Sequence, residues 1–439
     1  MEPTKKLKID NKESVTAQEM QKVQKLATKG AKYLAESDSP ALKFKLISQR
    51  KKARQSLMTL PHGDVDLPIF MPVGTKGTIK GLTSEEMHQI NCKLLLANTY
   101  HLASKPKTPY LDSFGGLHKF MNWSGNILTD SGGFQMVSLS KLCKVDENGV
   151  EFKHPNTGEM LMLRPEDSIQ AQNEIGSDIM MALDDVVSST TEGPRMSEAN
   201  ERTIRWIQRC FQAHQKPQVQ NLFPIVQGGL DKQLRLRCIE ELIKSDAPGY
   251  AIGGLSGGEE KTSFVEIVDY TANLLPKNKP RYLMGVGHPE DLVICVCLGV
   301  DMFDCVYPTR TARFGTAFSK HGNLRLKQAK YKDDFRPIDE DCDCEVCQNY
   351  TRAFLSSVVT KEEVGGHLLS KHNIHFLLNL MRRMQEAISE DRLDSFVRQF
   401  YRDWYHHEQK LPEFIVKGLE LAGISSEGIF DDQPGSENK

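Results

Sequence analysis

Residues 299–314 read Gly-Val-Asp-Met-Phe-Asp-Cys-Val-Tyr-Pro-Thr-Arg-Thr-Ala-Arg-Phe. An apolar run (Val300, Met302, Phe303) ends in the carboxylate of Asp304, Pro308 stops the strand, and Arg310 and Arg313 follow within one turn. An acid beside two guanidiniums suits attack on carbon while an anionic substrate such as a nucleic-acid backbone is held. The plainer reading is a strand-end cap with arginines on a solvated loop. A second acid, Asp130, opens the run Asp130-Ser131-Gly132-Gly133-Phe134-Gln135. Two carboxylates across a pocket are the usual equipment for displacement at an anomeric carbon, one as nucleophile and one as acid/base. Arg310 and Arg313 are expected to keep Asp304 ionised while Asp130 carries a proton. The glycine turn lets a flat ligand approach the backbone, and Phe134 can stack on it, a contact worth about 1–3 kcal/mol for a base. Asp184 and Gln227 add an acceptor and an amide that suit the edge of a guanine-like base.

A separate constellation lies downstream. Cys342, Cys344 and Cys347 form Cys-x-Cys-x-x-Cys, with His367, His372 and His375 available as a fourth ligand. Cys3His is a tetrahedral zinc set, structural because all four positions are filled. Such an ion contributes on the order of 10 kcal/mol to local folding. Residues 305–332 carry Arg310, Arg313, Lys320, Arg325, Lys327, Lys330 and Lys332 and no acid. A run like this is either a solvated face or a phosphate contact.

The acids need a scaffold that gathers them. Short apolar runs recur at Pro68–Val73, Lys93–Ala97, Asn126–Thr129, Asp178–Leu183, Phe223–Val226, Tyr250–Ile252, Tyr282–Met284 and Val300–Phe303. Amphipathic helix patterns lie between them, with 106–123 the one irregular stretch. Eight βα units call for a parallel sheet, and eight is the number that closes into a TIM barrel; an open doubly wound sheet is the competitor. Most of these runs end in a residue with chemistry: Asp130, Asp184, Gln227, Gly253-Gly254, Gly285 and Asp304. In a barrel those ends share one face, where the active sites of this fold lie. The expected division is an N-terminal extension over 1–42, whose Ser37–Pro40 reads as a linker, a barrel over 43–332, a zinc subdomain with C-terminal helices over 333–425, and a tail over 426–439.

The chain has 439 residues, 26% of them charged, with a formal net charge of −2, so nucleic-acid binding must come from a local patch rather than the overall field. No apolar run is long enough to span a bilayer, and the N-terminus shows neither a secretory nor a transit pattern. Seven of the ten cysteines are scattered without a disulfide framework, which favours a reducing compartment.

Six motifs then occur in order: Asp-Ser-Gly-Gly-Phe-Gln (130–135), Gly-Gly-Leu-Ser-Gly-Gly-Glu (253–259), Leu-Met-Gly-Val-Gly (283–287), Asp-Met-Phe-Asp-Cys-Val (301–306), Pro-Thr-Arg-Thr-Ala-Arg (308–313) and the cysteine cluster. With them the chain resembles the tRNA-guanine transglycosylases over about 43–425, most closely their eukaryotic catalytic branch. The resemblance implies a (β/α)8 barrel with a zinc module and the exchange of guanine for queuine at the wobble position of tRNAs with GUN anticodons. It implies Asp304 as nucleophile on the ribose and Asp130 as general acid/base. Ser131, Gly132, Gly133, Phe134, Asp184, Gln227, Gly253, Gly254, Leu255, Gly257 and Met284 are implied to hold the base. Gly285, Val286, Gly287, Thr309, Arg310, Thr311, Ala312 and Arg313 are implied to hold the anticodon loop, and His372 to complete the zinc set with Cys342, Cys344 and Cys347. Bacterial members usually carry Cys where this chain has Val186 and Val where it has Gly257, so the glycine is expected to make room for a bulkier base. A heterodimer with a non-catalytic homologue and a cytoplasmic location, peripheral to the mitochondrial outer membrane, are further expectations. Two other readings are a zinc-stabilised tRNA-binding subunit without catalysis and a barrel glycosidase.

Overall fold

The computed structural model describes residues 16–27, 36–133, 143–153 and 158–431; Phe134 lies outside them. The eight expected runs all form strands, at Ile69–Gly74, Leu94–Ala97, Asn126–Thr129, Ile179–Met181, Asn221–Val226, Tyr250–Ile252, Arg281–Leu283 and Met302–Cys305, and every pairing between them is parallel. The fifth strand is broken at Pro224, which has no N–H to give the ladder. Its first half, Asn221–Phe223, pairs with the fourth strand, and its second half, Ile225–Val226, pairs with the sixth. The two ends of the sheet are therefore one piece of chain, and the ring closes: the fold is a TIM barrel.

Alternate side chains along each strand fill the interior. Met71, Leu96, Leu128, Met181, Phe223 and Met302 are buried there, while Phe70, Leu95, Ile127 and Phe303 face the outer helices. The interior core continues into a four-stranded antiparallel sheet over residues 36–67, whose Phe44, Met58, Val65 and Leu67 plug the end where the barrel strands begin. Ser37–Pro40 is accordingly not a linker: Glu36–Ser39 is an edge strand paired with residues 42–45, so this sheet starts before the expected boundary at 43. Further upstream, the helix Ala17–Ala27 buries Val23 against the outer helices.

After the eighth strand the chain makes the short helix Tyr307–Arg313, a hairpin (Thr316–Ser319, Gly322–Arg325) and the cysteine segment. Only then does it run the 27-residue helix Glu363–Ser389 back along the first barrel strand. The cysteine module is thus inserted between the last strand and a barrel-flanking helix. The last helix, Glu413–Ala422, packs on Lys261–Leu274 and Pro289–Cys297. No helix among the described residues is long and apolar enough to cross a membrane.

The plug is tied to the strand that ends in Asp304. Arg54, 2% exposed, forks onto both carboxylate oxygens of the fully buried Asp301, which also accepts from the Arg281 N–H at 2.8 Å. Removing one member of a buried pair strands the other as an unpaired charge, at about 3–5 kcal/mol. Asp301→Ala is expected to lower unfolding free energy by about that amount in denaturant titration. A loss below about 1 kcal/mol would show that the pair does not anchor the plug.

Candidate active site

Asp130 and Asp304 leave the third and eighth strands at the same mouth. Asp130 Oδ1 accepts from the Thr99 N–H at 3.0 Å and the Gly132 N–H at 3.1 Å, and Oδ2 accepts from the Asn98 amide. The Gly132 donation needs a turn with φ +79°, which glycine adopts without strain. Burial lifts the Asp130 carboxyl to about 7 against those donors, and the charge of Asp304 pushes it the same way. The two acids are close enough for the charge of one to be felt at the other.

Asp304 Oδ1 accepts from the Tyr282 hydroxyl at 2.6 Å and the Gly285 N–H at 2.9 Å. Burial raises its pKa, and these two donors pull it back. The expectation that Arg310 and Arg313 hold this carboxylate is corrected: their helix carries both to the exposed surface, and neither pairs with an acid among the described residues. They gather instead near Lys76 and Lys80, where burial and then the arginine charges depress the Lys80 ammonium. A cluster of cations without carboxylates is ready for phosphates. Lys320, from the same basic run, is paired with Asp341.

The floor between the acids is polar and tightly built. Gln227 donates to Asp184 at 2.6 Å, and burial raises the Asp184 carboxyl to about 6 despite that bond. A Cβ on Gly253 would lie 2.6 Å from Ile225 and 3.0 Å from the Gln227 amide nitrogen, so only glycine fits beneath a flat ligand. Met284 lies against Gly253, and Leu255 is half-buried beside it. The Ser131 carbonyl accepts from Ser168 at 2.7 Å, and Gly133 is pressed against Leu183. Gly257 is exposed, and a Cβ there would lie 2.8 Å from Ser189 Oγ, a hydroxyl that donates to Glu259 at 2.7 Å. Burial opposes the charge on Glu259, but Ser189, Ser256 and Gly257 together hold its carboxyl below the ordinary value. Val186 is half-buried on the loop of Ser189.

Gly285, Val286, Gly287 and Arg310 line a groove of about 310 Å3 beside Asp304. Thr309 and Ala312, expected to meet RNA, are buried, so their side chains pack rather than bind; Thr311 is half-exposed and Arg313 exposed.

Cys342, Cys344, Cys347 and His372 bring their ligand atoms within 4.8 Å of one another, and this cluster can hold a metal ion. His372 Nε2 is bonded to the Phe318 carbonyl at 2.7 Å, which turns Nδ1 toward the thiols. His367 meets the Gly81 carbonyl and His375 meets Asp343, so neither completes the set. At the opposite end of the barrel His62 and His118 both bond Asp178. Their rings stack at 3.7 Å and 15°, so no ion can lie in both ring planes, and the trio is a clamp rather than a metal site.

Tyr282, Asn98, Thr99 and Ser189 were not singled out from the sequence. Tyr282 looked like one more core aromatic in its run. A hydroxyl that must find a partner when buried is the signal that could have marked it.

Asp130 binds its proton more tightly folded than unfolded, because its pKa rises from 3.8 to about 7. Stability attributable to it is full below pH 4 and falls as pH climbs through the window to 7, by up to about 1.4 kcal/mol per unit. Asp130→Asn is expected to flatten that fall, so the variant gains on the parent between pH 4 and 7 in paired melting curves. Parallel curves would contradict the burial of a titrating acid here.

Comparisons with known proteins identify the family. The family model described as queuine tRNA-ribosyltransferase matches residues 49–406, which include both acids and the cysteine cluster. The chain is 52% identical over 398 residues to the queuine tRNA-ribosyltransferase catalytic subunit of Schizosaccharomyces pombe, covering 88% of this chain and 98% of that one. It is 53% identical over 365 residues to the catalytic subunit of Caenorhabditis elegans, covering 83% and 91%. With a queuine tRNA-ribosyltransferase of Staphylococcus aureus it shares 50% over 368 residues, covering 83% and 97%. Identity at this level over nearly the whole of each relative leaves one assignment: the chain belongs to the queuine tRNA-ribosyltransferase family.

Proposed function

We propose that the protein is a pentosyltransferase that exchanges guanine at the wobble position of GUN-anticodon tRNAs for queuine by double displacement. The observation that carries this reading is the acid pair at one mouth, Asp130 after the third strand and Asp304 on the eighth, each carboxylate held by fixed donors. An Asp304 oxygen attacks C1′ of the ribose, the bond from C1′ to N9 breaks, and guanine leaves with the bonding electron pair. Asp130, with a pKa of about 7, supplies the proton that guanine needs. The incoming base then loses its N9 proton to Asp130, attacks C1′, and frees Asp304. Tyr282 and Gly285 steady the Asp304 carboxylate before attack and after release. Asp184, Gln227 and the backbone over 253–255 read the base edge, with Met284 against its face. Arg310, Arg313, Lys76 and Lys80 take the backbone phosphates of the anticodon loop.

The cysteine cluster holds structural zinc in this reading, supported by its soft Cys3His donor set and by the hydrogen bond that fixes the His372 tautomer. The ion ties the inserted module to the barrel and takes no part in the exchange. The module also exposes Phe335 and Phe354, with Val364 at the start of the following helix, which suits an interface with a non-catalytic homologous subunit. The cytoplasm is the compartment we assign, peripheral to the mitochondrial outer membrane, in keeping with the seven cysteines outside the zinc set, none of which forms a disulfide.

Asp304→Asn is expected to cut incorporation of labelled guanine into tRNA by at least about 10³-fold and to abolish a denaturation-resistant protein–tRNA adduct. Undiminished exchange would refute the assignment of Asp304. Metal analysis should find one zinc per parent chain and less than half of that in Cys344→Ser. Full zinc in a folded Cys344→Ser protein would refute the ligand set.

A further inference from the structure

Arg235 lies on the helix Lys232–Leu242 and is fully buried, yet its guanidinium meets no carboxylate among the described residues. Its Nε donates to the Gly229 carbonyl at 2.7 Å and one terminal nitrogen donates to the Gly253 carbonyl at 2.9 Å. The other terminal nitrogen has no acceptor among the described residues. Burial lowers its pKa to about 10, which leaves it a cation at neutral pH. For stability alone this is a poor choice, since an apolar side chain of similar volume avoids stranding a charge. The two carbonyls say what the charge is for. They belong to the loops after the fifth and sixth strands, and the second lies in the glycine floor of the site.

The Gly253 carbonyl and the Gly254 N–H are the two ends of one peptide unit. A cation bonded to the carbonyl draws electron density through the amide and makes its N–H a stronger donor. That N–H makes no hydrogen bond to any described residue, and Gly254 sits directly against Gln227. We propose that Arg235 is a positioning residue that polarises the Gly253–Gly254 peptide, so that the Gly254 N–H binds the carbonyl oxygen of the base more strongly as that base departs. When the bond from C1′ to N9 breaks, the electron pair moves into the ring and part of the negative charge reaches this oxygen. A donor strengthened in advance stabilises that charge most in the transition state. Arg235 gives up no proton and touches neither base nor ribose. Its fork also fixes the spacing between the two loops, so the N–H keeps its aim.

This inference rests on the base-exchange reading, and its test separates the two. Full-length parent, Arg235→Met and Arg235→Lys are compared in guanine exchange, with melting curves as a fold check. Each is also titrated with guanine and with 2-aminopurine, which lacks the carbonyl oxygen, as competitors. Arg235→Met is expected to lower kcat and to weaken guanine by about tenfold each, while its inhibition by 2-aminopurine shifts less than about twofold. Arg235→Lys keeps the charge but reaches only one carbonyl; it should show a smaller loss, again confined to guanine, and it carries the test if the methionine variant does not fold. Equal weakening of both competitors would make Arg235 a merely structural brace, and unchanged guanine binding would remove the polarisation; either result overturns the proposal. Absence of exchange by the parent protein would instead sink the base-exchange reading.

Discussion

Two carboxylates leave the barrel strands at one mouth, where burial makes the ionised form of either costly. Burial raises Asp130 to about 7, and the charge of Asp304 adds to that rise. Asp304 keeps a hydroxyl and a backbone N–H as donors at 2.6 and 2.9 Å, while Asp130 accepts from Thr99, Gly132 and Asn98 among the described residues. In the proposed exchange this arrangement divides the labour of displacement at an anomeric carbon, with Asp304 as nucleophile and Asp130 taking and returning the proton. Most of the fold serves to keep these two side chains at one mouth although 173 residues separate them by number (304 less 130, less one).

The ring supplies that constraint. Parallel strands put every strand end on one face, and the break at Pro224 lets a single segment pair on both sides and close the sheet. The antiparallel plug fills the other end, and the Arg54–Asp301 pair joins it to the strand that ends in Asp304. A closed and plugged barrel has little freedom to splay. The donors around the acids therefore stay aimed without reorganising during reaction.

The eight strands were legible because buried parallel strands read as short apolar runs and because their ends carry polar residues of the right types. The acids, the Gln227–Asp184 pair and the cysteine cluster followed from residue type and position. Other features had no local signature. The strand Glu36–Ser39 is as polar as a linker, since an edge strand needs only backbone pairing. Arg54 and Asp301 stand 247 positions apart, and no spacing rule links them. Arg310 and Arg313 follow Asp304 closely in the chain, but their helix turns them outward to the exposed surface. Tyr282 was hidden among apolar neighbours, because an aromatic ring in a barrel strand looks like filling until its hydroxyl is located. The room expected at Gly257 could not be judged without seeing Ser189 come in from another loop.

The account turns on a covalent bond between Asp304 and the ribose. Protein trapped on an anticodon stem-loop in the absence of incoming base, digested with protease and nuclease and read by tandem mass spectrometry, tests it most directly. The expected result is a base-free nucleotide remnant on the peptide that contains Asp304, with the Asp130 peptide unmodified. A remnant on any other residue, or a protein that exchanges base with no remnant on any peptide, would contradict it.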